Sequence, residues 1–259
     1  MNLAASSVQD FQQGGRGGAG LSVTSVAGKV HKWLALLLTV PILFWFGSGF
    51  FFALVPIDRV RGEHRIREQA PVAVPLRVAG DGLRRLADAG VGAGDRVEIR
   101  ALGSRPVALV TRGEGRPRLY DLVSGARLSP ITRAMAAEIA TRDHVGRPRP
   151  TGVTAVFTAS PEYRGALPAW RVDFTGDTRR SLYVAADTGV VTARRSTLWR
   201  VYDFLWALHI LDFEEHQDFN TPLLIAATAL SLILLVTGVI LFPERLGLVK
   251  RRRRRSDDV

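Results

Sequence analysis

The 259-residue chain has no cysteine, and its 35 Lys+Arg against 24 Asp+Glu leave a formal net charge of +11. Without thiols, a disulfide-stapled secreted domain is excluded, as are Cys-ligated zinc, iron–sulfur and thiolate chemistry. Two runs of 25 residues lack any ionisable side chain, Trp33–Ile57 and Phe219–Pro243. Each exceeds the roughly 20 helical residues that cross a hydrocarbon core of about 30 Å, which excludes a soluble cytosolic protein.

Residues 1–28 hold a Gly/Ser/Gln-rich stretch with no apolar period, which predicts a disordered cytoplasmic N-terminus. Residues 29–57 are expected to form the first transmembrane helix. The apolar run is far longer than a typical signal h-region and ends in Phe-Phe-Phe without a small-residue cleavage site, so it reads as an uncleaved signal anchor. Pro41 should kink it. Gly49 and Ala53 make a small-x-x-x-small step that permits close helix approach, in this chain or in a homodimer.

Residues 58–198 read as one extracytoplasmic domain. A short amphipathic helix is expected over 82–90, with Leu83, Leu86 and Ala87 on one face. Strands follow at 96–102, 107–111 and 118–123, the first alternating Val97, Ile99 and Ala101 with Arg96, Glu98 and Arg100. A second helix is expected over 131–141, with Ser129 as N-cap and Pro130 in its first turn. Further strands are expected at 153–158, 169–174, 181–186 and 190–194. Each set closes in an apolar strand that runs into Ser/Thr-Gly, at Gly125 and at Gly189, 64 residues apart. A repeat of that size predicts a duplicated α+β unit with helices packed on antiparallel sheet.

Residues 199–218 are expected to form an interfacial amphipathic helix, with Arg200, Tyr202 and Asp203 pinning it at the membrane surface. Residues 219–243 are the second transmembrane helix, and 244–259 a basic cytoplasmic tail with six basic residues in a row, Lys250–Arg255. Short Lys/Arg-rich flanks stay cytoplasmic while long domains cross largely regardless of charge. Both termini are therefore placed in the cytoplasm, with the central domain outside. Between the spans, 25 Arg face 20 acids, a near balance that fits scattered surface ion pairs, and no nucleic-acid partner is expected.

Trp170-Arg-Val-Asp-Phe followed by Ser181-Leu-Tyr-Val-Ala-Ala-Asp-Thr-Gly-Val-Val resembles the close of a PepSY domain. Gly28-Lys-Val-His-Lys-Trp-Leu, Tyr202-Asp-Phe-Leu-Trp-Ala-Leu-His-Ile-Leu-Asp-Phe and Thr237-Gly238 resemble the flanking segments of PepSY-associated transmembrane proteins. Family proteins often carry four spans, and this chain has two. The resemblance implies an α+β membrane protein in which two transmembrane helices flank an extracytoplasmic, duplicated PepSY-like domain. It also implies a bacterial inner-membrane protein with its central domain periplasmic, a binding or regulatory module of the cell envelope accessory to iron or siderophore uptake, whose partners are the bilayer and an envelope protein or a second copy. With no catalytic constellation in the sequence, it is expected to be non-enzymatic.

Five histidines mark the candidate chemistry. His31 and His209, at opposite ends of the spans, are candidate axial ligands for b-type haem, since related proteins are implicated in ferric-siderophore reduction. Two membrane faces stand about 30 Å apart, whereas two axial ligands of one iron lie about 4 Å apart, so one chain could not clamp a haem between them. A second copy or a partner would have to supply the other ligand. The competing reading makes both histidines interfacial residues and leaves the protein without a resident cofactor. Asp212-Phe-Glu-Glu-His-Gln-Asp218 is the densest acidic cluster, and on a helix Asp212, Glu215 and His216 would share a metal-binding face. The competing reading is a solvated linker. No catalytic residue is assigned: there is no Gly-x-Ser-x-Gly, and Gly90-Val-Gly-Ala-Gly lacks the context of a phosphate loop.

Overall fold

A computed structural model describes residues 23–67, 73–176 and 179–246. The tail from 247 onward and residues 1–22 lie outside the described residues, as do the expectations made for them. The chain divides into two compact units, Leu43–Leu224 and Met1–Ile42 with Ile225–Val259.

Helix α1 runs over Val23–Leu54 and contains Pro41. It begins six residues before the expected position 29, because nothing in Val23–Gly28 opposes a helix and Ala27 is buried while Gly28 faces Leu241. Leu36, Leu43, Phe46 and Phe50 are 64–76% exposed, which suits side chains solvated by lipid. A short helix α2, Ile57–Arg61, follows. Its successor segment pairs with the centre of the domain: Arg67 N–H donates to Asp143 O (2.9 Å) and Val145 N–H to Arg65 O (3.2 Å).

The first half-repeat is α3 (Leu76–Asp88) and the antiparallel sheet of β1 (Asp95–Leu102), β2 (Arg105–Arg112) and β3 (Arg118–Asp121). The second is α4 (Arg133–Asp143) and the antiparallel sheet of β4 (Gly152–Val156), β5 (Ala169–Phe174), β6 (Arg180–Ala185) and β7 (Val191–Ser196), in sequential order. The duplication is written in the backbone. Gly125 N–H donates to Asp121 O (2.8 Å), and Asp121 N–H to Ala126 O (2.9 Å). Sixty-four residues later Gly189 N–H donates to Ala185 O (2.8 Å), and Ala185 N–H to Val190 O (2.9 Å). Both glycines take positive φ, 73° and 70°, a region open to Gly at no steric cost. The strand that follows differs. Tyr120 meets Arg127 in a single bridge, whereas the equivalent pair, Val184 and Val191, opens the full strand β7.

Alternation along the strands sorts the core into layers. Leu86 of α3 packs with Ala108, Val110 and Leu122 on one face of the first sheet. Val107 and Leu119 on its other face join Ile131, Ala136 and Ala140, and Val172, Leu182 and Val184 of the second sheet, in one cluster. The far face of the second sheet holds Tyr163 and Tyr183, stacked at 4.4 Å. Ser129 is not the cap of α4. Thr132 accepts from Met135 N–H there, because Ile131 is still extended, donating to Ala186 O (2.8 Å), and Ser129 Oγ instead accepts from Leu119 N–H (3.0 Å).

The chain passes from β7 into helix α5, Thr197–Ile210, with no linker: Ser196 ends the strand and its hydroxyl caps the helix by accepting from Trp199 N–H. The interfacial helix expected over 199–218 is thus corrected to one that stops at Ile210. Leu211 adopts φ 52° and His216 φ 60°, which break helical continuation, and residues 211–221 form a loop before α6, Pro222–Arg245.

Candidate functional site

His209 lies in the last turn of α5, where α1 supplies its surroundings. Its Nδ1 lies 2.8 Å from Ser48 Oγ. The Ser48 hydroxyl donates to the Phe44 carbonyl, so Ser48 accepts and His209 Nδ1 carries the proton. Trp45 Nε1 donates to His209 O (2.7 Å), satisfying one of the carbonyls that a helix C-terminus leaves without an intrahelical partner. Phe52 stands edge-on to the imidazole at 5.6 Å and packs on Tyr202 at 4.6 Å. A Cβ on Gly49 would sit 4.0 Å from His209 Cε1. Gly49 therefore faces α5 of the same chain, and Ala53 is exposed.

His31 is built alike in the other unit. Its Nδ1 is 3.0 Å from Thr237 Oγ1 and 3.1 Å from Leu234 O. A carbonyl only accepts, so Nδ1 carries the proton here too, while Thr237 donates its own to Leu234 O (2.9 Å). Gly238 takes the place of Gly49, with its virtual Cβ 3.2 Å from His31 Cε1. In both cases an imidazole docks on a hydroxyl-glycine step of a neighbouring helix. Its Nδ1–H is consumed, and in the neutral ring Nε2 keeps its lone pair. Ser48, Trp45 and the hydroxyl of Thr237 were not among the expected site residues. The visible signals were Ser48-Gly49 and Thr237-Gly238, each a hydroxyl beside a residue without a side chain.

Asp212, Glu215 and His216 are not brought together as a metal site, which corrects that expectation. Asp212 Oδ1 accepts from the amides of Glu214 (3.2 Å) and Glu215 (3.1 Å), and Oδ2 from those of Gln217 (2.8 Å) and Asp218 (2.9 Å). Burial alone would raise this carboxyl, but the four amides outweigh it and hold its pKa at about 2. His216 turns back to α5, its Nδ1 2.7 Å from Asp203 Oδ2, and the exposed Glu215 offers its carbonyl to Arg164. Among the described residues, no three His or acidic side chains form a group able to hold a metal. Of the residues expected to pin α5, Tyr202 packs on Phe52, Asp203 holds His216, and Arg200 donates to Glu162 (2.5 Å) and Ser181 Oγ (3.0 Å) of the domain.

His144 is bonded on both sides: Nδ1 donates to Val145 O (2.5 Å) and Nε2 accepts from Arg180 (3.0 Å). Burial pushes its pKa down, aided by the charges of Arg180 and Arg65 and opposed by the bond to Val145 O.

Two long apolar helices with outward-facing side chains, flanking a duplicated α+β region of antiparallel sheet, define a two-span membrane protein. The family description "PepSY-associated TM region" matches residues 29–258, and the chain belongs to that family. No curated protein and no solved structure matches it.

Proposed function

We propose that the protein is an inner-membrane-anchored PepSY-type binding and regulatory module of the cell envelope, with its duplicated domain outside the cytoplasm and both termini inside. The observation that carries this reading is the rigid mounting of the domain. Strand β7 continues into α5 through one shared residue, and α5 is fastened to α1 by the Ser48–His209 and Trp45–His209 bonds. A domain held this way keeps its surface in register with the Leu43–Leu54 end of α1, as a binding module requires. The basic tail supports the orientation. The use in iron or siderophore uptake is supported by the family resemblance.

The cysteine-free chain makes the test direct. Glu114→Cys, in the exposed turn between β2 and β3, should react with a membrane-impermeant maleimide in intact spheroplasts. Asp257→Cys, in the tail, should react only after permeabilisation. The opposite pattern overturns the orientation. Turnover of a ferric chelate or peptide by purified protein, abolished by one side-chain change, overturns the binding reading.

One observation favours a second reading, electron transfer through b-type haem for ferric-siderophore reduction. His31 and His209 each have Nδ1–H held by a neighbouring helix, which leaves Nε2 as the donor atom an axial ligand needs. The residues fit one ligand each, and haem would supply one-electron transfer there. On this reading detergent-purified protein shows a Soret band that sharpens on dithionite reduction and disappears in His209→Ala or His31→Ala. A flat spectrum from protein expressed with ample haem removes it.

A further inference from the structure

The junction of the two half-repeats contains a cavity of about 230 Å³. One wall is the end of β1 and the β1–β2 turn, Arg100 to Arg105, and another is the face of α4 carrying Met135, Ile139 and Arg142. The third is the closing turn of the second repeat, Gly189 to Val191. A Cβ on Gly189 would lie 3.2 Å from Leu102, so this turn approaches the first repeat as closely as a residue without a side chain allows. Neither repeat forms the cavity alone.

The charges around it do not balance. Glu138 pairs with Arg142 (2.6 Å), and Asp143 is gripped by Nε and Nη2 of Arg194 (2.7 and 2.5 Å). That leaves Arg100 and Arg105 with no carboxylate within ion-pair distance among the described residues. Arg100 donates from Nη2 to the neutral carbonyl of Thr188, and its enclosed Nε has no acceptor among the described residues. Burial pushes its pKa down and the charge of Glu98, beyond ion-pair distance, offsets this only in part, the mark of a cation stripped of water without full compensation. An anion entering beside it would offset that cost, and a planar guanidinium fork matches a carboxylate with two parallel hydrogen bonds. Met135, Ile139, Val190 and Val191 supply the apolar remainder of the lining. The volume falls below the roughly 300 Å³ at which drug-sized sites begin, so the occupant is small.

We propose that this inter-repeat cleft binds a carboxylate bearing a short apolar group, with Arg100 and Arg105 taking the carboxylate and the Met135–Ile139–Val190–Val191 wall taking the apolar part. A free acid and the C-terminal residue of a polypeptide share that chemistry. The proposal deepens the binding-module reading and rests on it for its use in the cell. Binding in detergent, however, reports on the cleft alone, and maleimide labelling on the orientation alone, so the two can fail separately.

Isothermal titration of the full chain in detergent with N-acetylleucine, hexanoate, N-acetylleucinamide and inorganic phosphate tests it. The two carboxylates bind and the amide does not. N-acetylleucine binding more tightly assigns the cleft to a chain end, and hexanoate binding more tightly assigns it to a free acid. Arg105→Ala, at an exposed position, and Arg100→Lys, which keeps the charge and loses the fork, each weaken binding roughly tenfold or more. Arg133→Ala, on the exposed side of α4, leaves it unchanged. Binding of the amide as tight as that of the acid, phosphate competing on equal terms, undiminished binding in a folded Arg105→Ala protein, or no binding of either carboxylate overturns the proposal.

Discussion

Asp212 shows how one side chain can organise a loop. Its carboxylate gathers the amides of Glu214, Glu215, Gln217 and Asp218, which no helix or sheet satisfies, and its pKa of about 2 lies below the ordinary 3.8. A lowered folded-state value means that its stabilising contribution is complete above about pH 4 and is lost as the pH falls through about 2. Asp212→Ala should remove that acid dependence and cost about 1–3 kcal/mol, as expected for lost hydrogen bonds to a charged acceptor. Hydrogen exchange should accelerate at the amides of residues 214, 215, 217 and 218 before any other part of the chain. The sequence displayed the acidic cluster but not its use. A metal face needed the helix to continue, and the break rests on Leu211 and His216 at positive φ, residues that do not announce a left-handed backbone as glycine does.

At the scale of elements, α3 holds two glycines with opposite requirements. Gly80 has nothing within 4 Å of a virtual Cβ, whereas at Gly82 that atom would lie 2.8 Å from the backbone oxygen of Leu122. Gly80→Ala should therefore stabilise by up to about 1 kcal/mol through helix propensity. Gly82→Ala should destabilise by about 1–3 kcal/mol, because the close approach of helix to sheet must open. Thermal unfolding of the two variants side by side measures both signs. The same glycines hid the first half of α3 in the sequence: only 82–90 carried a readable apolar face, though the helix begins at Leu76. The strands were more legible, because alternation and the Gly125 and Gly189 turns mark their faces and ends directly. The Ser129 cap was misplaced for a tertiary reason, the pairing of Ile131 with Ala186.

For the molecule as a whole, the spans and the doubled α+β domain could be read from uncharged run length and from a 64-residue repeat. The proposed orientation rests on charge at the flanks alone, and Glu114→Cys labelling decides it. The inter-repeat cleft could not be read. Its walls come from residues near 100, 140 and 190, each unremarkable in its own segment, and they meet only when the second repeat closes against the first. The histidines were visible, but their partners Ser48 and Thr237 sit on other helices and needed the packing to be found.

The continuity of β7 and α5 has a mechanical consequence. Val191 borders the cleft, five residues further on Ser196 starts α5, and α5 ends at the imidazole docked on α1. A hydrogen-bonded strand joined end to end with a helix has no slack to absorb a displacement. Any displacement of the cleft rim would therefore travel along one continuous stretch of backbone to the imidazole that α1 holds.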